Sequence, residues 1–357
     1  MKIGMIGLPQ TGKKTLFELL TRHKPTEAEI MSLRPIKGVA EIMDGRFDKL
    51  CAIYSPRKNV RSRIDIELIP KLEKDSIAKG DIFKDINDLD AICHVVRAFK
   101  DDSVYHVDGS IDQKRDIDFV NAELLLHDLI FIEKRAERLD KTIKQTKEEA
   151  AIKEKEILTK LKEHLDKNLP LRTLELKCEE EKFIASYPFI SRKEMFIVLN
   201  VSEDALGDAV MRQKLADELS KLKIDVMQVS AKVEEEIMAL ESENERKEFM
   251  QSLGITKGAI DVMTQLCLRT LNLISFFTVG EDEVRQWNAR RGSSAPEAAG
   301  VIHTDLQRGF IRAEVMKYDD LIGLGSEEKV KEAGKYHLKG KEYIVEDGDI
   351  LNIRFNV

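Results

Sequence analysis

The sequence GLPQTGKKT occupies residues 7–15 and directly follows a short apolar run that begins at Ile3. The apolar run predicts a buried strand over 2–8, and the residues that follow predict a helix from Lys13 to about Arg22. The first seven residues of the stretch fit the G-x-x-x-x-G-K pattern of a phosphate-binding loop, in the strand–turn–helix context that it requires. Glycines let several backbone N–H groups converge on phosphate oxygens, and the helix N-terminus adds partial positive charge. The sequence therefore predicts a nucleotide site whose phosphate-binding residues are Gln10, Thr11, Gly12, Lys13, Lys14 and Thr15.

The residue after Lys13 departs from this pattern. A phosphate-binding loop has Ser or Thr there, and its hydroxyl coordinates Mg²⁺, whereas this chain has Lys14. An ammonium group cannot ligate a metal and repels a divalent cation. Thr15 lies about 100° further round the helix and does not substitute cleanly. We therefore predict no metal ligands and little role for Mg²⁺. The loop either binds nucleotide without cleaving it, with Lys14 partly replacing the metal charge, or is kept only for packing.

Four more apolar runs predict short strands, and helical stretches separate most of them. They cover 63–69, 91–97, 195–200 and 224–229. This order predicts an α/β fold, a mostly parallel sheet with helices on both faces. Ligands of such sheets bind at the carboxyl ends of the strands. Two polar loops begin there, and we predict that they contain the base-binding residues Asn200, Val201, Glu203, Ser230, Ala231 and Lys232. Each loop alone is better explained as a polar turn, and the prediction depends on both following a phosphate loop in this order.

Two other regions differ from this pattern in residue composition and in predicted secondary structure. Residues 133–168 contain eleven Lys or Arg and nine Asp or Glu with apolar residues between them, which predicts two long charged helices packed together. Such a hairpin is either merely solvated or an arm that reaches a large partner.

From about residue 275, short strands predicted at 275–279, 310–315, 343–345 and 350–357 surround a helix at 296–301. The turn Glu346-Asp347-Gly348-Asp349 is a hairpin signal, so a small mixed sheet that grips one helix is expected.

Composition restricts the class of protein. The chain has 357 residues, 42% of them hydrophobic and 34% charged, and a formal net charge of −7, which argues against a globally basic nucleic-acid coat. No apolar stretch reaches 18 residues. The cysteines, Cys51, Cys93, Cys178 and Cys267, are far apart and predict neither a disulfide framework nor a zinc site. We expect a soluble, cytoplasmic protein that does not contact membranes.

These motifs together resemble those of the Obg-like ATPases, the YchF-type branch of translation-factor-related P-loop proteins. The resemblance runs nearly end to end and includes DAICHVVRAF and NAELLLHDL. It is most specific near the C-terminus, where the matching stretches are FFTVGEDEVRQWN, APEAAGVIHTDLQRGFIRAEVMKYDD, KEAGKYHLKGKEYIVEDGD and RFNV. The resemblance implies a P-loop NTPase domain at 1–116 and 190–274, interrupted by a coiled-coil-like helical arm at 117–189. A ubiquitin-like (β-grasp) TGS domain at 275–357 would close the chain.

The same resemblance implies a function. The family prefers ATP to GTP, a preference attributed to N-x-x-E, here Asn200 and Glu203, in place of N-K-x-D. Its members associate with ribosomes, so a ribosome or structured RNA is the implied partner, and we expect a monomer. The family's proposed catalytic histidine corresponds to His106 of YHVDG, for which a polar loop histidine is the alternative. The cofactor would be ATP or GTP.

The chain departs from the family at the switch that senses the γ-phosphate. No D-x-x-G follows the strand at 63–69, the nearest aspartate is Asp65, and only Gly80 remains of a glycine-rich segment. Phosphoryl transfer depends mainly on positioning and metal electrostatics, so we expect nucleotide binding with weak or lost hydrolysis. The alternatives are an active Mg²⁺-dependent ATPase or GTPase switch and a nucleotide-independent ribosome- or RNA-binding scaffold. Local positive charge for phosphate binding would come from Arg285, Arg290, Arg291, Arg308 and Arg312, which a solvated surface explains equally well.

Overall fold

The computed structural model describes residues 1–70, 72, 81–106, 108–146 and 148–356. These residues form two compact units: Met1–Val39 with Asp65–Ala259, and Ala40–Ile64 with Ile260–Val357. Within the described ranges, no helix is long and apolar enough to cross a membrane. The four-part division into 1–116, 117–189, 190–274 and 275–357 stays a prediction. Gly80 of the expected switch segment and the end of the strand expected at 350–357 lie outside the described residues.

The strands and helices are numbered in chain order. The strands are β1 (Lys2–Ile6), β2 (Ile36–Glu41), β3 (Lys58–Val60), β4 (Arg63–Leu68), β5 (Ala91–Ala98), β6 (Glu194–Val201), β7 (Ile224–Val229), β8 (Leu273–Thr278), β9 (Glu283–Arg290), β10 (Phe310–Lys317), β11 (His337–Lys339) and β12 (Asp349–Phe355). The helices are α1 (Lys13–Thr21), α2 (Glu27–Met31), α3 (Gly45–Tyr54), α4 (Asp81–Asn87), α5 (Gln113–Thr146), α6 (Glu149–Leu165), α7 (Cys178–Ile184), α8 (Ala209–Ser220), α9 (Ala231–Ala239), α10 (Glu243–Ser252), α11 (Ala259–Thr270), α12 (Ala295–Ile302), α13 (Thr304–Arg308), α14 (Tyr318–Leu324) and α15 (Glu327–Glu332).

The first sheet has the strand order β2-β4-β1-β5-β6-β7. The pairs β1–β4, β1–β5, β5–β6 and β6–β7 are all parallel. Nearly every residue of β5 and β6 is buried, as in a parallel sheet covered by helices on both faces. One of these faces contacts α4, α5 and α8 through Phe83, Ile117, Val120 and Leu219. The α/β fold with a parallel sheet, predicted from the apolar runs, is confirmed.

The charged segment forms a helical arm. Helix α5 is 34 residues long and α6 is 17, and they pack through buried residues such as Ile132 and Leu158. At the base of the arm, the buried carboxylate of Asp128 accepts hydrogen bonds from the backbone N–H groups of Ile190 and Ser191 at 2.9 and 2.8 Å. A buried carboxylate satisfied in this way fixes where the chain re-enters the sheet. The two long helices predicted from the charge pattern are confirmed.

The second unit contains a mixed sheet with the order β11-β10-β12-β8-β9-β3. Helices α12 and α13 cover one face. Helices α3, α14 and α15 cover part of the other face, and β3 pairs in parallel with β9. Segment 40–64, which lies between two strands of the first sheet in the sequence, therefore contributes a helix and an edge strand to this unit.

The strand expected at 343–345 is wrong. Ile344 makes only an isolated bridge to Ser294, because the neighbouring backbone groups bond to the turn before α12: Ala295 N donates to Tyr343 O and Val345 N to Ser293 O. The prediction from apolar runs also missed β9. Its sequence EVRQWNAR contains no apolar run, because polar or charged residues separate Val284, Trp287 and Ala289.

Candidate nucleotide site

Two glycines shape the loop between β1 and α1. Gly12 has φ 84°, in the left-handed region that favours glycine, and a Cβ there would lie 2.1 Å from Nδ2 of Asn200. A Cβ on Gly7 would lie 2.5 Å from the carbonyl oxygen of Val95. Gln10 is also left-handed, with φ 62°. The loop therefore has the tight curl that the G-x-x-x-x-G-K pattern predicts.

Lys13 is positioned by backbone carbonyl groups. Its side chain is largely buried, and Nζ donates to the carbonyl oxygen of Gly7 at 3.0 Å and to that of Pro70 at 3.2 Å. Pro70 lies two residues beyond the end of β4, so the chain after β4 meets the loop lysine with a carbonyl oxygen. Thr11 is buried, and its Oγ1 donates to Leu8 O at 3.2 Å.

The described residues around the loop do not fit Mg²⁺. Lys14 is exposed and its Nζ lies 3.7 Å from Oε1 of Glu18, so the position of the expected hydroxyl carries a cation. Asp65 pairs with Lys2 at the start of β1. It therefore lies near the amino ends of the strands, whereas the loop follows the carboxyl end of β1. Its carboxylate lies 3.8 Å from the N-terminal amine. In the part of the chain that the structure describes, no group of three or more His, Cys, Asp or Glu could hold a metal ion.

The base-side loops meet the phosphate loop at Asn200. Its Nδ2 donates to Thr11 O at 3.0 Å, and its Oδ1 accepts from the N–H of Ala231 at 3.0 Å. Asn200 is 4% exposed. Ser230 is buried and caps α9 by accepting from the N–H of Val233. Among the other predicted base-binding residues, Val201 is buried, whereas Glu203 and Lys232 are exposed.

Arg97 organises the loop that follows β5, a role that the sequence did not reveal. Its side chain is 2% exposed and donates to the carbonyl oxygens of Phe99, Asp101, Val104 and Tyr105 at 3.0–3.3 Å. Its guanidinium also stacks 4.6 Å from the centre of the Phe99 ring. The available signal was an arginine in the mostly apolar strand AICHVVRA, because a buried charge needs several partners.

His106 is held inside its own loop. Its Nε2 lies 3.1 Å from Oδ2 of Asp116, and Nδ1 accepts from the N–H of Asp108 at 3.1 Å. Because Nδ1 is an acceptor, Nε2 carries the proton and donates to Asp116. Both residues are buried. In this conformation both ring nitrogens are occupied, and His106 as a catalytic residue stays a prediction.

A second histidine lies in the sheet beside the loop. His94 is 1% exposed in β5, between Ile6 of β1 and Ile197 of β6. Its Nδ1 has no hydrogen-bond partner in the described part of the chain. Burial, with a smaller contribution from the charge of Lys13, lowers the pKa of His94 to about 3. The imidazole is therefore neutral at pH 7.

The chain is similar to known proteins. The family model YchF-GTPase_C, described as a protein of unknown function (DUF933), matches residues 273–356. The chain is 40% identical to the ribosome-binding ATPase YchF of Bacillus subtilis, with 99% of each covered. It is 38% identical to the protein of that name from Haemophilus influenzae, covering 100% of this chain and 99% of the relative.

A solved structure is similar over nearly the whole chain. The Schizosaccharomyces pombe YchF GTPase is 31% identical, with a TM-score of 0.82, and the match covers 99% of this chain and 97% of that one. This similarity supports the P-loop domain, the helical domain and the C-terminal TGS-type domain that the sequence predicts. Full-length similarity at this level of identity means that the chain belongs to the YchF family.

Proposed function

We propose that this chain binds a purine nucleotide at residues 7–15 and that Mg²⁺ contributes little to the affinity. In this proposal the chain hydrolyses the nucleotide slowly or not at all. It also associates with ribosomes. The observation that carries the nucleotide proposal is the position of Asn200, which joins the phosphate loop at Thr11 to the base-side loop at Ala231. Phosphate and base loops fixed to each other form one continuous surface at the carboxyl edge of a parallel sheet, where ligands of such folds bind.

Three features support weak hydrolysis. Lys14 replaces the metal-binding hydroxyl. Asp65 lies beside the start of β1, whereas the phosphate loop follows the end of β1. His106, the predicted catalytic residue, is bonded at both ring nitrogens. Enzymes that transfer phosphoryl groups work mainly through positioning and metal electrostatics, so these changes reduce turnover far more than affinity.

The preference for ATP over GTP is part of the same proposal. Asn200 uses both of its polar side-chain atoms to hold loops together, whereas Glu203 is exposed two residues beyond the end of β6. A carboxylate accepts hydrogen bonds and cannot donate them when ionised. Glu203 can therefore accept from the exocyclic N6 amine of adenine, and the loop Asn200-Val201-Ser202-Glu203 lacks the Lys and Asp of the guanine-binding pattern N-K-x-D.

Ribosome association is supported by the relatives that are named ribosome-binding ATPases. The long charged arm and the sheet of the second unit offer surfaces for a large partner. We extend the proposal to a monomer that works in the cytoplasm without contacting membranes.

Calorimetric titration of the full chain with ATP and GTP, with and without Mg²⁺, tests the nucleotide part. Micromolar ATP binding that Mg²⁺ changes less than about twofold would support it. Lys13→Ala should abolish binding, and the exposed Lys24→Ala is the matched control. Unchanged affinity in Lys13→Ala would rule out the loop as the site. Lys14→Ser should introduce Mg²⁺ dependence with little hydrolysis.

A second candidate is an active, Mg²⁺-dependent ATPase switch, which the word ATPase in the names of the relatives favours. It predicts that Mg²⁺ strengthens ATP binding in the unmodified chain by tenfold or more. It also predicts multiple turnovers in a phosphate-release assay. Failure to bind either nucleotide would contradict both candidates and leave a nucleotide-independent scaffold.

A further inference from the structure

Pro70 lies against the phosphate loop, just beyond the end of β4. The N–H of Ile69, one residue earlier, donates to Met5 O at 3.1 Å, so the pairing of β4 with β1 continues up to the loop. The parallel register of β1 and β4, extended by two residues, puts Pro70 level with Gly7, the first residue of the loop. Pro70 O lies 3.2 Å from Nζ of Lys13. Pro70 therefore faces the loop at the position of its lysine.

The backbone of Pro70 can accept a hydrogen bond but cannot donate one. Proline has no N–H group, and the carbonyl oxygen of Pro70 accepts from Nζ of Lys13. The lysine of a phosphate loop reaches the terminal phosphates of a bound nucleotide, so Pro70 lies close to the place of the last phosphate. Phosphate oxygens are themselves acceptors. A γ-phosphate therefore gains no hydrogen bond from the backbone of Pro70, and it competes with the Pro70 carbonyl for the lysine.

Lys14 adds little discrimination between two phosphates and three. Its Nζ lies 3.7 Å from Oε1 of Glu18, and its side chain is 48% exposed. Interactions between charges at so exposed a position are weakened by water and salt. The additional charge of a third phosphate therefore strengthens binding only slightly through Lys14. Mg²⁺, which bridges the last two phosphates in other phosphoryl-transfer sites, contributes little to the affinity in the function proposed above.

We infer that Pro70 makes the site bind nucleoside diphosphates and triphosphates with nearly equal affinity. This inference rests on the nucleotide site proposed above and adds the length of the phosphate chain that the site accepts. A ligand shifts a conformational equilibrium only through a difference in its affinity for the two states. Exchange of bound ATP for ADP therefore leaves the state of the chain unchanged. The chain responds to the presence of a nucleotide and not to its hydrolysis.

Calorimetric titration of the full chain with ATP, ADP and AMP, without Mg²⁺, tests the inference on the unmodified protein. We expect ATP and ADP to bind within about threefold of each other, because only exposed charge favours the third phosphate. AMP, which lacks the phosphates that Lys13 reaches, should bind at least about tenfold more weakly. An affinity for ATP about tenfold or more above that for ADP would overturn the inference and support the proposed nucleotide site. Failure to bind any of the three would contradict the proposed function, and the inference with it.

Pro70→Ala tests whether this residue is the cause. Alanine keeps the carbonyl group and adds an N–H group beside the loop. We expect the ratio of ATP affinity to ADP affinity to rise by about tenfold, because a hydrogen bond to a charged group strengthens binding by about that much. The matched control is Pro35→Ala, which adds the same backbone flexibility at another half-buried proline and should change the ratio by less than about twofold. An unchanged ratio in a Pro70→Ala variant that still binds ADP would overturn the role of Pro70. If the variant does not fold, the titration of the unmodified chain still decides whether diphosphates and triphosphates bind alike.

Discussion

Nδ2 of Asn200 donates a hydrogen bond to the carbonyl oxygen of Thr11 across 3.0 Å, although 189 residues separate them in the sequence. The same amide accepts from Ala231 N through Oδ1. Gly12 lies so close that a Cβ on it would meet Nδ2 at 2.1 Å. The side chain of Asn200 is therefore a structural link between the phosphate loop and the loop before α9, in addition to any role it has in contacting a base.

Asn200→Asp tests this link. The substitution keeps the acceptor for Ala231 but replaces the Nδ2 donor with an oxygen that faces Thr11 O, so two acceptors meet in a buried site. A buried unsatisfied group costs about 1–3 kcal/mol. We expect calorimetric unfolding to show a loss in that range and ATP affinity to fall by about tenfold or more. Glu203→Gln, at an exposed position, should leave stability within about 0.5 kcal/mol. Unchanged stability and affinity in Asn200→Asp would contradict the link.

The loop GLPQTGK and the order of the strands were sufficient to predict the parallel sheet and the curled loop between its first strand and helix, because both depend on local patterns. The roles of Asn200 and Arg97 were not predictable in the same way. Each depends on carbonyl groups whose positions are set only after the chain has folded. The assignment of segment 40–64 to the second unit likewise depends on long-range packing. A run of charged and apolar residues between two strands does not show against which sheet it packs.

His106→Ala should affect stability more than turnover. His106 donates to the buried Asp116, and its removal leaves Arg115 as the remaining side-chain partner of that carboxylate among the described residues. We expect a loss of about 1–3 kcal/mol in the free energy of unfolding and a change in phosphate release of less than about twofold. His303→Ala, at an exposed helix cap, is the histidine control. A tenfold loss of phosphate release at unchanged stability would instead assign His106 a catalytic role.

His94 should make the first unit less stable in mild acid. Its pKa is about 3 in the folded chain and about 6.5 when unfolded, so the unfolded state binds more protons between those values. The stabilisation is complete above about pH 6.5 and is lost as the pH falls towards 3. We expect roughly 2 kcal/mol less stability at pH 5 than at pH 7 from this residue alone.

Calorimetric unfolding between pH 7 and pH 5 checks this expectation. His94→Leu should flatten the pH dependence by about the same amount, because leucine does not titrate. The exposed His337→Leu serves as the control. If His94→Leu and the unmodified chain lose the same stability over this range, His94 does not account for the acid sensitivity.

The second unit should require segment 40–64 for its stability. Phe47 and Leu50 of α3 are buried against Phe277, Met316 and Ile350 of the sheet. Phe47→Ala removes a side chain that is 3% exposed and should cost about 3–5 kcal/mol. The only tryptophan of the chain, Trp287, lies in β9, so its fluorescence during urea unfolding reports on this unit. Ile53→Ala in the same helix, 39% exposed, should cost less than about 1 kcal/mol.

An isolated fragment of residues 260–357 should fail to fold, because its sheet would expose the face that α3 covers. A cooperative urea transition in that fragment would show that its sheet is stable without segment 40–64.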